Sequence, residues 1–135
     1  MALHGVAVIV LGLLAGFPYT FVVTGAMAGD ERAWKMAHEE GIQNGLLILA
    51  IAGVGGRLVL DRRRSSLCAW SLILAGYGNV IASVVGAATG NRGLAFLPPV
   101  ANLVVYLLFV LAVVGVVVGL VLVAQGARAA LRSGD

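Results

Sequence analysis

Four long apolar stretches, separated by short clusters of charge, set the pattern of this chain. Ala2 to Gly29, Gly41 to Gly56, Leu67 to Asn91 and Leu94 to Ala127 hold no Asp, Glu, Lys or Arg. A helix needs about 20 residues to cross a hydrocarbon core of roughly 30 Å, and the first, third and fourth stretches supply that length unaided. The second becomes long enough when Arg57 snorkels to the interface, bringing Leu58 to Leu60 into the span, and when the turn from Glu31 to Glu40 carries the helix into the headgroups. The pattern predicts an all-α fold: a single four-helix transmembrane domain over residues 1–135, with helices at approximately 2–29, 31–60, 67–90 and 99–128. Asp30 is the expected N-cap of the second helix.

Composition agrees with that class. The chain is 61% hydrophobic and 11% charged, against roughly 45–50% and about 25% for a soluble domain. Ala26-Met27-Ala28 looks like a signal-peptidase site, but the apolar run before it is longer than a signal core and no Lys or Arg precedes it. Four spans put both termini and the middle loop on one side of the membrane. That side carries Arg57, Arg62, Arg63, Arg64, Arg128 and Arg132, whereas the other carries only Arg32, Lys35 and Arg92. The positive-inside rule therefore places both termini in the cytoplasm, for a chain integral to the bacterial inner (cytoplasmic) membrane. The net charge of +3 follows from this topology and calls for no nucleic acid partner. With Cys68 the only cysteine, an internal disulfide and a cysteine metal cluster are both excluded.

Glycines recur at four-residue spacing in the pairs Gly12 and Gly16, Gly25 and Gly29, Gly41 and Gly45, Gly86 and Gly90, and Gly115 and Gly119. Such spacing lets helices approach closely where lipid supplies no hydrophobic drive for association, and it favours tight packing and an oligomer. Pro18 falls inside the first helix, where a kink is expected. Pro98 and Pro99 fall where the fourth helix begins, the position at which proline is tolerated.

Candidate chemistry lies with polar groups in or near the spans, each of which must find a partner. His38, Glu39, Glu40, Gln43 and Asn44 form the densest cluster; Tyr77, Asn79, Ser83, Asn102 and Tyr106 are scattered along the later helices. A histidine beside an apolar run can ligate a metal or haem iron, hydrogen-bond between helices, or transfer protons. Gly41 and Gly45 lie within about 60° of His38 around the helix, and Asn44 lies about 120° away and about 9 Å deeper. The bare glycine face can take a haem plane or another helix, and spacing does not choose between them. Glu39 and Glu40 are read as solvated at headgroup level, His4 as interfacial, and Trp34 and Trp70 as anchors at the two membrane surfaces. No Ser-His-Asp arrangement, phosphate loop or paired-carboxylate site is recognisable.

Several segments together resemble the styrene oxide isomerase family of small four-helix membrane enzymes. The carriers are His4-Gly5, Met27-Ala28-Gly29-Asp30-Glu31-Arg32-Ala33-Trp34, Met36-Ala37-His38 with Glu40-Gly41, Asn44-Gly45-Leu46-Leu47, Gly78-Asn79, Asn91-Arg92-Gly93-Leu94 and Ala101-Asn102. The resemblance implies a homotrimer in membrane lipid that holds ferric haem b between neighbouring subunits, with His38 as the axial ligand of the iron. It implies Asn44 as an active-site amide that hydrogen-bonds or orients the epoxide oxygen. The implied reaction is a Meinwald rearrangement of a small apolar aryl epoxide to an aldehyde, with no net redox change. An ungapped count from His38 reaches Ser83 at the place of the family's active-site tyrosine, so Ser83 joins Asn44 as a candidate catalytic residue. That departure keeps open a haem carrier or electron-transfer protein without isomerase activity, and a haem-free structural membrane protein.

Overall fold

The computed structural model describes residues 1–133, and these fold into helices and connecting loops without a strand. Helix α1 spans Ala2–Val23, α2 Glu31–Val54, α3 Arg62–Thr89 and α4 Val100–Ser133. Three of them, α1, α3 and α4, are long and apolar enough to cross a membrane. In α2, Glu31, Arg32, Lys35, Glu39 and Glu40 crowd the first ten residues, and the charge-free remainder, Gly41 to Val54, is shorter than the roughly 20 residues of a span.

The starts of α1 and α2 fall where the sequence placed them, and the other helix boundaries shift for local reasons. Helix α1 stops at Val23 instead of Gly29 because Gly25 adopts φ 74°, a left-handed conformation open to glycine, and the chain turns back with the Met27 N–H donating to the Phe21 carbonyl at 3.0 Å. Pro18 leaves α1 helical on both sides. The Asp30 side chain accepts from the Ala33 N–H at 3.0 Å and starts α2, as its sequence position predicted.

Helix α2 ends at Val54 instead of Leu60, because Gly53, Gly55 and Gly56 weaken it and a 3-10 turn follows at Gly55–Arg57. Leu58 to Leu60 are therefore not helical; they cross the end of α4, where the Val59 N–H donates to the Gly126 carbonyl at 3.1 Å. Asp61 caps the Arg64 N–H at 2.8 Å, so α3 begins at Arg62 and not at Leu67. Helix α4 runs past the expected end at Arg128 to Ser133. At 1.5 Å per residue its 34 residues reach about 51 Å, well beyond a hydrocarbon core.

Packing follows the small residues. Helices α1 and α2 meet through Gly5, Gly12, Gly41 and Gly45: a Cβ on Gly12 would lie 2.7 Å from the Ile42 backbone nitrogen, and one on Gly45 2.6 Å from the Gly5 carbonyl oxygen. Helix α3 is the centre of the bundle, with half of its apolar stretch buried against 17% for α1 and for α4. It packs on α2 and on α4, where Gly119 receives Leu72 and Gly115 receives Ala75. Val8, Ile48, Ile51, Cys68, Leu72, Val80 and Leu122 form the buried apolar core. Leu3, Phe17, Leu74, Leu111 and Val113 are among many large apolar side chains that face outward, a surface suited to lipid or to other subunits.

Candidate functional site

Two sets of polar residues on α2 meet neighbouring helices, on faces set by the helical repeat: His38 meets α1, and Glu40 with Asn44 lies on the side of α3. His38 belongs to the first face. Its ring lies beside α1, where Nδ1–H donates to the Gly12 carbonyl at 2.8 Å. With that hydrogen bond fixing the tautomer, Nε2 keeps its lone pair for a ligand. The imidazole stacks near the Tyr19 ring, with centroids 6.4 Å apart and planes 17° from parallel. It opens into an outward-facing groove of about 370 Å³ lined by Leu13, Gly16, Phe17, Tyr19, Thr20 and His38.

The bare surface beside His38 comes from a residue the sequence reading did not choose. Gly41 and Gly45 were candidates for a haem plane, but both are buried under α1, because their missing side chains are what allow the two backbones to meet. Gly16 of α1 takes that place: a Cβ there would lie 3.0 Å from His38 Nδ1. Which glycine faces the imidazole depends on the relative register of two helices, and no spacing within one helix reveals it.

Asn44 belongs to the second face. Its side-chain NH2 donates to the Glu40 backbone carbonyl at 2.7 Å and to Glu40 Oε2 at 3.0 Å. The side-chain NH2 of Asn79 on α3 donates to the same Oε2. Glu40 is accordingly half-buried between α2 and α3, in place of the solvated headgroup position expected for it; Glu39 is exposed and pairs with Lys35 at 3.8 Å. The Glu40 to Asn44 spacing of one helical turn was a usable signal for the pair. The link to Asn79 was not, since it again requires interhelical register.

Ser83 lies one turn beyond Asn79 on α3, is only 3% exposed, and its hydroxyl has no hydrogen-bond partner among the described residues. It borders a cavity of about 110 Å³ with Met36 of α2, Phe109 of α4, and Asp30, Asn91 and Arg92 toward the surface. An unpartnered buried hydroxyl is uncommon and leaves a donor and an acceptor for a ligand. Tyr77 is far from this cavity in function: its hydroxyl shares a 3.3 Å hydrogen bond with His4 Nδ1, and His4 also lies 5.9 Å from the Trp70 ring.

Trp70 is exposed, as an interfacial anchor should be, but Trp34 is buried at 8% exposure and lines an apolar groove with Leu11, Pro18 and Val80. Asn102 holds the loop before α4, accepting from the Gly93 N–H at 3.0 Å and donating to the Ala95 and Leu97 carbonyls.

These residues fit a haem better than a simple metal ion. Among the described residues no three His, Cys, Asp or Glu side chains gather as a metal cluster. A haem iron needs one axial histidine, with the macrocycle held by surrounding apolar surface. His38, its buttressing carbonyl and the groove beside Gly16 and Phe17 meet that requirement on one side. His38 and Asn44 face different neighbours within the chain, so the two do not converge on one ligand there. Comparison with known proteins gives a family model, styrene oxide isomerase, that matches residues 1–128. No curated protein matches the chain.

Proposed function

The chain belongs to the styrene oxide isomerase family, and from that premise we propose that it converts aryl epoxides to aldehydes using haem b bound through His38. The observation that carries the reading is the His38 imidazole: its Nδ1–H is tied to the Gly12 carbonyl, and the ring lines an outward-facing groove with its other nitrogen unused by the hydrogen bonds of the described residues. When bound, haem supplies a Lewis-acid position for the epoxide oxygen. The divergence of His38 and Asn44 favours a site built between copies, with His38 from one and Asn44 from the next, in a homotrimer. Four helices crossing the inner membrane, α2 with the help of its flanking residues, put both termini in the cytoplasm.

The reaction needs no oxidant or reductant. The carbon–oxygen bond at the benzylic carbon breaks with its electron pair going to oxygen. A hydride then moves with its pair from the neighbouring carbon, and an oxygen pair closes the carbonyl. The product is an isomer of the substrate. The chain's task is to bind the apolar ring, exclude water that would give a diol, and stabilise the charge that develops. Apolar helix faces supply the first two, while Asn44 and the unpartnered Ser83 hydroxyl offer polar contacts to the substrate.

Absorption spectroscopy of the purified protein in detergent, after expression with ample haem, tests the cofactor. A Soret band that disappears in His38→Ala is expected, and a colourless wild-type protein overturns haem binding. Air-free incubation of the haem-loaded protein with styrene oxide should yield phenylacetaldehyde. Haem-loaded protein that forms no aldehyde from any aryl epoxide leaves a haem carrier as the correct reading.

A further inference from the structure

Resting on the isomerase reading, we propose that Glu40 is a positioning residue that fixes Asn44 with its carbonyl oxygen, and not its NH2, toward the substrate. The side-chain nitrogen of Asn44 has two hydrogens, and the structure uses both: one on the Glu40 backbone carbonyl at 2.7 Å, the other on Glu40 Oε2 at 3.0 Å. Oδ1 is the remaining polar atom, and among the described residues no donor reaches it. A backbone carbonyl only accepts, so the amide cannot be turned over without setting two oxygens against each other. Glu40 is in turn held by Asn79 across the α2–α3 contact.

Neither of the cation–carboxylate contacts among the described residues involves Glu40. The cluster therefore presents a carboxylate and an amide oxygen with no cation beside them, in a half-buried setting where charge is weakly screened. Glu40 and Asn44 have no free N–H to donate to an epoxide oxygen. The pair stabilises positive charge, which in this rearrangement develops on the benzylic carbon as the carbon–oxygen bond breaks. Asn44 then contacts the cationic end of the opening epoxide, and Glu40 acts through it by orientation and by its own field.

Glu40→Gln keeps the size of the side chain and removes the charge. Across para-substituted styrene oxides from methyl to nitro, this variant should lose kcat by about tenfold to a hundredfold, as for a hydrogen bond to a charged group, with KM little changed. Electron-poor substrates should lose most, so that the dependence on the substituent steepens. Asn79→Ala, which loosens the clamp but keeps Glu40, should show the same trend with a smaller loss. A proportional loss across the series, or an unchanged kcat, overturns the proposal.

The second measurement needs no turnover. In protein labelled with nitrogen-15 at asparagine and assigned with Asn44→Asp, the Asn44 NH2 resonances should move upfield in Glu40→Gln as the carboxylate hydrogen bond is lost. Resonances that stay in place show that Glu40 does not hold Asn44. Should the wild-type protein convert no epoxide, the isomerase reading falls, and with it the catalytic part of this proposal, whereas the labelled amide still decides whether Glu40 positions Asn44.

Discussion

The two faces of α2 use the same resource, a polar side chain near an apolar span, in opposite ways. On the α1 side a single hydrogen bond to Gly12 orients His38 and leaves one nitrogen free at an outward groove. On the α3 side both N–H groups of Asn44 are taken by Glu40, Asn79 donates to the same carboxylate, and what Asn44 leaves open is its acceptor oxygen. The first face is made by glycines that bring two backbones together, so its geometry is set by backbone contact. The second is made by side chains whose geometry depends on each partner being present. On the proposed reading, a ligand that touches both faces lies between copies.

The largest expected effect comes from filling the glycine contact that sets the first face. Gly41→Leu would drive a side chain into the α1 backbone and into Val80. Overpacking at a helix contact of this kind should lower stability by about 3 kcal/mol. It should also detach His38 from Gly12. Thermal unfolding in detergent and haem titration should both register the change; a variant with wild-type stability shows that the α1–α2 contact can open freely. Gly16→Val is gentler, because its Cβ would meet the imidazole at 3.0 Å and not a backbone. Haem affinity should fall about tenfold to a hundredfold, the range for disturbed support of a ligating histidine, while the unfolding temperature stays within a few degrees. Affinity that does not change argues that the macrocycle lies elsewhere.

The comparison also separates what was legible in the sequence from what was not. The charge-free stretches gave the helices, and Asp30 gave the start of α2, because hydropathy and capping are local properties. Helix ends were missed where glycine conformation overrode apolar length, as at Gly25 and at Gly55–Arg57. His38 and Asn44 stood out as polar groups in costly surroundings. Gly16 and Asn79 did not stand out as their partners, since each sits on a different helix and only packing brings it into contact. Trp34 was misplaced for the same reason: an aromatic residue near a headgroup region suits an anchor, until a neighbouring helix covers it.

Asn79→Leu tests the second face without touching the first. It removes the α3 donor from Glu40, and interhelical hydrogen bonds within membranes are worth about 0.6 kcal/mol on average, with the best near 1.7. A loss of about 1 kcal/mol is expected from unfolding measurements, with haem affinity unaltered because His38 packs on α1. If haem affinity falls as well, the two faces are coupled through α2 and do not act separately.

The smallest expected effect is at Ser83, and its sign is informative. The hydroxyl is buried without a partner in the protomer, so the folded state bears a desolvation penalty that Ser83→Ala removes. The alanine variant should be as stable as the wild type or more stable by about 0.5 to 1 kcal/mol in the absence of substrate. Its activity should nonetheless fall if the hydroxyl is retained for a ligand in the adjoining cavity. A variant destabilised by more than about 1 kcal/mol would mean that the hydroxyl has a partner in the assembled protein. Ser83 would then belong to the packing between subunits, and the polar contacts to substrate would reduce to Asn44, held by Glu40.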